Sequence, residues 1–193
     1  MNETLQSFKK DILKVYPELT TQAWEAFQSK VEIVSYRKGE TIFPETEVCN
    51  HVLFIAKGIA ASENQTADHF GITRFFKPNG LCSNVISLFY GELNNDRLFA
   101  ISQVEGVRMT KELFLDHYLH SPDLGQYFRR KILSVILEDK HYISLKTLPR
   151  VEQQLTYLQE HFPAILLDTP WKYIANFLGV TPAWLSRVLK KGS

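Results

Sequence analysis

The apolar residues of this chain change their period, and that change limits the folds open to it. Between Val31 and Met109 they alternate or run in short blocks, as strands do. Before Val31 and after Lys111 they recur every three or four residues, as helices do. Strands gathered in one block, with helices outside it, give an α+β fold rather than alternating βαβ units. The strand candidates are 31–36, 41–43, 52–55, 59–62, 72–76, 98–102 and 106–109, with a polar loop at 63–69. Lys38-Gly39, Lys57-Gly58 and Pro78-Asn79-Gly80 punctuate them as turns. Many short strands with such breaks predict an antiparallel barrel or sandwich.

The helical segments fall on either side. Leu5, Phe8, Ile12 and Val15 predict a helix over 3–16, and Ala23, Trp24 and Phe27 a second over 20–30. Together they read as a cap on the strands. A short helix at 111–117 precedes a long one from about 122 to 145, with Ser121 as N-cap and Pro122 at the first position. On the long helix Phe128, Ile132, Val135 and Tyr142 follow a heptad seam, with Asp139 interrupting it. Such a seam packs on the strands or on a second copy, and the second copy is the favoured reading. A further amphipathic helix over 150–160 carries Val151, Leu155 and Leu158 behind a Leu148-Pro149 hinge.

The last stretch, 169–191, reads as two short helices joined by a tight turn. Thr169-Pro170 and Thr181-Pro182 each supply a cap and a first-turn proline. Trp171, Ile174, Ala175 and Leu178 make one apolar face, and Gly179 lets the chain leave the helix at positive φ. Leu185, Val188 and Leu189 face inward on the second helix. Ala183, Arg187 and Lys190 then face outward, flanked by Ser186 and Lys191. Four of the chain's 22 basic residues lie beyond Pro170 (Lys172, Arg187, Lys190, Lys191), and none of its 21 acidic ones does. The net charge of +1 gives no bulk pull on nucleic acid, so any pull is local to this tail. A basic helix pair of this kind fits double-stranded DNA, the second helix in the major groove. Arg187 is the candidate for base edges, with Ala183 against the groove floor. Lys172, Tyr173, Ser186, Lys190 and Lys191 are candidates for phosphates. Thr181, Pro182 and Trp184 belong to the same surface.

Other chemistry is poorly represented. No Gly-x-Ser-x-Gly, His-Glu-x-x-His or phosphate-binding Gly-x-x-x-x-Gly-Lys occurs, so no enzyme, cofactor or metal site is expected. His117 and His120 beside Asp116 are better read as surface groups at a helix end than as ligands. Cys49 and Cys82 stand apart and read as buried thiols. No segment is long and apolar enough to span a bilayer, and the first residues lack the layout of a signal peptide. The expected location is the cytoplasm.

Three stretches carry a family resemblance: Arg37-Lys-Gly-Glu-Thr-Ile-Phe43 with Val52-Leu-Phe-Ile-Ala-Lys-Gly58, then Phe75-Phe-Lys-Pro-Asn-Gly80, and above all Tyr173-Ile-Ala-Asn-Phe-Leu-Gly-Val-Thr-Pro-Ala-Trp-Leu-Ser-Arg187. The chain resembles the Crp/Fnr superfamily of bacterial transcription regulators, and its last motif is phrased most like short Bacteroidetes-type members. The resemblance implies a cyclic-nucleotide-binding-type β-roll over 1–120, a connecting and dimerisation helix over 121–146, and a helix-turn-helix domain over 147–193. It implies a homodimer on DNA, with a small effector or RNA polymerase as further partners. In the family's nucleotide-binding members a Gly-Glu and an Arg-Ser or Arg-Thr hold the ribose and the cyclic phosphate. Here Ser83-Asn84 and Leu98-Phe99 stand at those places. The candidate effector pocket is therefore Ser83, Asn84, Arg97 and Phe99, with Arg97 one residue early, where a strand turns a side chain to its other face. Cyclic AMP is not the expected effector. The alternative reading is a ligand-sensing or protein-binding module with a vestigial helix-turn-helix.

Overall fold

The computed structural model describes residues 2–65 and 70–191, and the side chains of all of these but Gln65, Phe70, Lys190 and Lys191. Two helices, α1 (Glu3–Val15) and α2 (Thr21–Gln28), lead into the strands β1 (Glu32–Tyr36), β2 (Thr41–Phe43), β3 (His51–Lys57), β4 (Ala60–Gln65), β5 (Phe70–Phe76) and β6 (Leu81–Cys82). A one-and-a-half-turn helix α3 (Val85–Tyr90) follows, then β7 (Arg97–Ala100) and β8 (Val104–Thr110). The remainder is helical: α4 (Lys111–His120), α5 (Leu124–Thr147), α6 (Val151–His161), α7 (Pro163–Asp168), α8 (Trp171–Leu178) and α9 (Pro182–Lys191).

The strands form two four-stranded antiparallel sheets, β1-β8-β3-β6 and β2-β7-β4-β5. β3 is buried along Val52–Ile55 because both of its faces are covered. One face lines the roll. The other meets α1, where Phe8 packs on Phe54 with ring centroids 4.5 Å apart, inside an aromatic cluster that includes Phe27, Tyr127 and Phe128. Where β8 crosses β3, a Cβ on Gly106 would lie 2.4 Å from the Phe54 carbonyl oxygen, so only glycine allows that approach. Asp11 ties the cap to α5, accepting from the Tyr127 hydroxyl at 2.8 Å and pairing with Lys131 at 2.5 Å.

The second sheet is also buried on both faces, and this feature shapes the molecule. Ala60, Phe76, Leu98 and Ala100 join the roll core. Their neighbours Ile59, Ala61, Phe75, Phe99 and Ile101 join a second core with Tyr142 and Leu145 of α5, Leu158, Phe162, Ile165, and the helix pair's Ile174, Ala175, Phe177, Leu178 and Leu185. The period-two alternation of the strands thus deals successive side chains to two different cores.

Several boundaries differ from the sequence expectation. α5 starts at Leu124, and Ser121 instead ends α4, its amide donating to the His117 carbonyl. Thr169 does not cap α8. It is buried, and Pro170 occupies the cap position. The heptad seam is corrected more deeply. Phe128, Ile132, Val135 and Tyr142 are buried within the chain itself, the first three in the roll core and Tyr142 in the second core. They therefore offer nothing to a second copy. The roll and the C-terminal helices already cover that face of the long helix. The unpartnered apolar stripe of α5 lies elsewhere, at Leu133 (55% exposed), Ile136 (54%), Leu137 (51%) and Ile143 (66%).

One group on the first sheet makes folding sensitive to acid. His51 stacks on Phe43 at 4.3 Å and shares a cleft with Lys30, Glu32, Arg108 and Glu112. Burial first, then the Arg108 charge, lowers its pKa to about 4, with Glu32 opposing. An unfolded histidine titrates near ~6.5. Between these values the unfolded chain binds a proton that the folded chain refuses, so stability falls as pH falls through that window. We expect His51→Phe to remove this part of the acid sensitivity. Urea midpoints of the two proteins should diverge progressively from pH 6.5 down to about 4, in favour of the variant. A pH-independent difference between them would contradict the assignment.

Candidate nucleic-acid interface and roll cavity

α9 is anchored by Leu185, which is 1% exposed, with Trp184 and Leu189 packed half-buried on the same core. Its start is fixed as the sequence suggests: Thr181 Oγ1 accepts from the Trp184 amide at 3.2 Å, and Pro182 takes the first helical position. Gly179 turns the chain between α8 and α9 at φ +71°. With that backing, Thr181, Pro182, Ala183, Ser186 and Arg187 are exposed, and the ridge faces outward. Lys190 and Lys191 continue the helix, but their side chains lie outside the described residues.

The first helix of the pair is placed differently from a pure phosphate-contacting element. Lys172 is exposed, its ammonium 4.8 Å from the Tyr173 ring centroid. Tyr173 is half-buried, its ring packed toward Phe99 of β7 at 6.1 Å. Phe177 packs on Phe75 at 5.2 Å and on Tyr142 at 5.7 Å. The Asn176 side-chain oxygen accepts from the Ile72 amide at 2.7 Å, and Lys146 donates to the Phe177 carbonyl, an otherwise orphaned acceptor of the last turn of α8. Burial lowers the Lys146 pKa. The helix pair therefore sits on the outer face of the second sheet.

On the inner side of that sheet, toward α5, a cavity of 420 Å³ is lined by Ser62, Thr73, Arg74, Phe76, Ser83, Asn84, Val85, Ile86, Asp96, Leu98, Asp139, Tyr142 and Ile143. Ser83 and Asn84 fall where the sequence put them, though their polar groups are engaged. The Ser83 hydroxyl lies 3.2 Å from Cys49 Sγ, and Asn84 Oδ1 caps α3 by accepting from the Ser87 amide at 3.0 Å. Cys49 and Cys82 are both buried free thiols, and burial pushes Cys82 far up. Arg97 and Phe99 do not line the cavity, which corrects that assignment. Both project from the opposite face of β7, where Arg97 pairs with Glu63 at 2.7 Å and lies over the Phe99 ring. The charged groups that do line it are Arg74, Asp96 and Asp139, and the sequence marks only Asp139, as the break in the α5 seam. Arg74 alternates with Phe75 in β5, but no motif marks it as facing a cavity. It pairs with Asp139 and, at 3.3 Å, with Glu138. Burial pushes the Asp139 pKa up while Arg74 opposes the shift.

His117 and His120 do not assemble a ligand set. His117 lies edge-on to Phe27 at 5.2 Å, and among the described residues no group of three His, Cys, Asp or Glu side chains could hold a metal. No helix of these residues is long and apolar enough to cross a membrane.

A two-sheet roll capped by helices, then a long connecting helix and a C-terminal helix pair, make up an α+β architecture. Three solved structures share it. A cyclic nucleotide-binding domain containing protein from Listeria monocytogenes EGD-e is 13% identical with a TM-score of 0.70, over 96% of this chain and 89% of that one. FixK2 from Bradyrhizobium japonicum is 20% identical with a TM-score of 0.68, over 83% of each chain. The c-di-GMP responsive global regulator CLP from Xanthomonas campestris is 19% identical with a TM-score of 0.63, over 86% of this chain and 88% of that one. No protein-family model and no curated protein matches the sequence.

Proposed function

We propose that this chain is a homodimeric, cytoplasmic, DNA-binding transcription regulator of the Crp/Fnr type whose roll does not answer to cyclic AMP. The phrasing of its α8–α9 motif further suggests a short Bacteroidetes-type member. The observation that carries the reading is the exposed Ala183, Ser186 and Arg187 ridge, backed by buried Leu185, on a tail without a single acidic residue. An arginine at such a place matches guanine O6 and N7 in the major groove. The fold shared with CLP, named a global regulator, supports the same role.

Two features give the reading a mechanism. β5 serves both sides of the second sheet. Arg74 points to the cavity and α5, and Phe75, next in sequence, to Phe177 of the helix pair. A ligand that displaces Arg74 or α5 therefore moves the seat of the reading head. Cyclic AMP is a poor candidate for it. Asp96 stands in the cavity, Arg74 there is already paired with Asp139 and Glu138, and the misplaced Arg97 is held by Glu63 outside it, so a phosphate would meet a carboxylate and guanidinium groups committed to acids.

The second feature is the exposed stripe Leu133, Ile136, Leu137 and Ile143, which would join two copies and set two ridges on successive half-sites. We expect Leu133→Glu with Leu137→Glu to yield a monomer by sedimentation and to weaken retention of genomic DNA fragments, which for the parent should fall steeply between 50 and 200 mM salt, on the order of the counterion-release dependence. A double variant that stays dimeric would rule out this stripe as the interface. A parent that retains no DNA even at the lower salt would favour the vestigial reading.

A further inference from the structure

We infer that the roll cavity takes a small organic cation, an amine or guanidine carried on an apolar body. The inference rests on the proposed sensor role of the roll only in supposing that a ligand enters there.

The charge count of the lining leads to this class. Arg74 is committed to Asp139 and Glu138, and Glu138 also pairs with Lys77 at 2.9 Å. Those four groups, two cationic and two anionic, balance. Asp96 is left over. Its carboxylate accepts from the Ser62 hydroxyl at 2.6 Å, the Thr73 hydroxyl at 2.8 Å and the Asn64 amide at 2.7 Å. These three donors hold it in one orientation and supply no charge. The nearest cation in sequence, Arg97, pairs with Glu63 on the other face of the strand. A fixed carboxylate with no counter-charge among the described residues, at the wall of a concave site, attracts a cation and repels an anion.

The rest of the wall sets the shape of the guest. Phe76, Val85, Leu98, Tyr142 and Ile143 offer an apolar surface suited to an alkyl or aryl body. The Arg74 Nε–H is buried with no acceptor among the described residues, so a hydroxyl or carbonyl oxygen on the same guest that reached it would gain a hydrogen bond. An amino alcohol or a guanidine on a chain of a few carbons meets these demands.

The test is calorimetric titration of the full chain at low salt with 5-aminopentan-1-ol and agmatine as cationic probes. Pentanoate and cyclic AMP serve as anionic ones. We expect saturable binding of a cationic probe, one per chain, with the anions at least about tenfold weaker. Asp96→Asn should weaken the cation by about tenfold or more. Ile86→Lys, at an exposed rim position, should weaken it as well by placing a competing charge at the mouth, and it decides the matter if Asp96→Asn fails to fold. Absence of saturable binding by both cations, anions that bind as tightly, or cation affinity unchanged in the folded variants would each overturn the inference. DNA retention by the same samples is a separate readout: its loss with amine binding intact would count against the regulator and leave the cation site standing.

Discussion

Replacing Arg187 by Ala should weaken binding to a specific duplex by about 1–3 kcal/mol, roughly 5- to 150-fold, while hardly changing affinity for unrelated sequence. The expectation follows from position. Arg187 is exposed on a helix whose opposite face is locked by Leu185, so its guanidinium can reach a base edge without the helix shifting. Arginine bidentate to guanine discriminates between bases, whereas a lysine on phosphate adds affinity without regard to sequence. Lys172→Ala is the internal comparison: an exposed cation on the preceding helix, it should cost all duplexes alike and make the salt dependence shallower. Fluorescence anisotropy on a selected and a scrambled duplex, at one fixed salt concentration, separates the two. Equal losses on both duplexes for Arg187→Ala would reduce it to a backbone contact.

Replacing Phe177 by Ala should destabilise the folded chain by about 3–5 kcal/mol, the range for truncating a fully buried phenylalanine. Phe177 is 1% exposed and stands between Phe75 of the roll, Tyr142 of the long helix and the Lys146 ammonium, 3.9 Å from its ring centroid. Its removal opens a void where three parts of the molecule meet, and none of them can close over it without moving the others. Urea denaturation followed by tryptophan emission reads both ends at once. Trp24 reports on the N-terminal cap, and Trp171 and Trp184 on the helix pair. A single transition shifted to lower urea is the expected result. A helix-pair transition lost early, with the cap transition unmoved, would show that the outer face of the second sheet is not the joint described here.

Much of this architecture was legible in the residues, and the exceptions have a common cause. The strand block, the helical cap, the Thr181-Pro182 start and the Gly179 turn follow from period, caps and backbone freedom, which are local properties. The two-sided burial of the second sheet is written in its composition, since Ile59-Ala60-Ala61 and Leu98-Phe99-Ala100-Ile101 are continuous apolar runs rather than alternating ones. What a run cannot disclose is which partner covers each face. That is why the heptad positions of α5 looked free for a second copy when the roll and the C-terminal helices already occupied them. The cavity shows the same limit. Ser83 and Asn84 were found by their place in the chain, yet Asp96, Arg74 and Asp139 meet there from three distant segments, and their pairing is a matter of tertiary geometry. Tyr173 shows it at the interface as well: nothing in its local sequence indicates that its ring meets Phe99 of β7.

Selection of bound fragments from random duplex DNA by the purified chain tests the central claim most directly. The account predicts enrichment of a two-fold symmetric consensus, with guanine at the position that loses its preference in Arg187→Ala and half-sites about one helical turn apart. Recovery of unenriched sequence, or of a consensus that Arg187→Ala selects just as well, would contradict it.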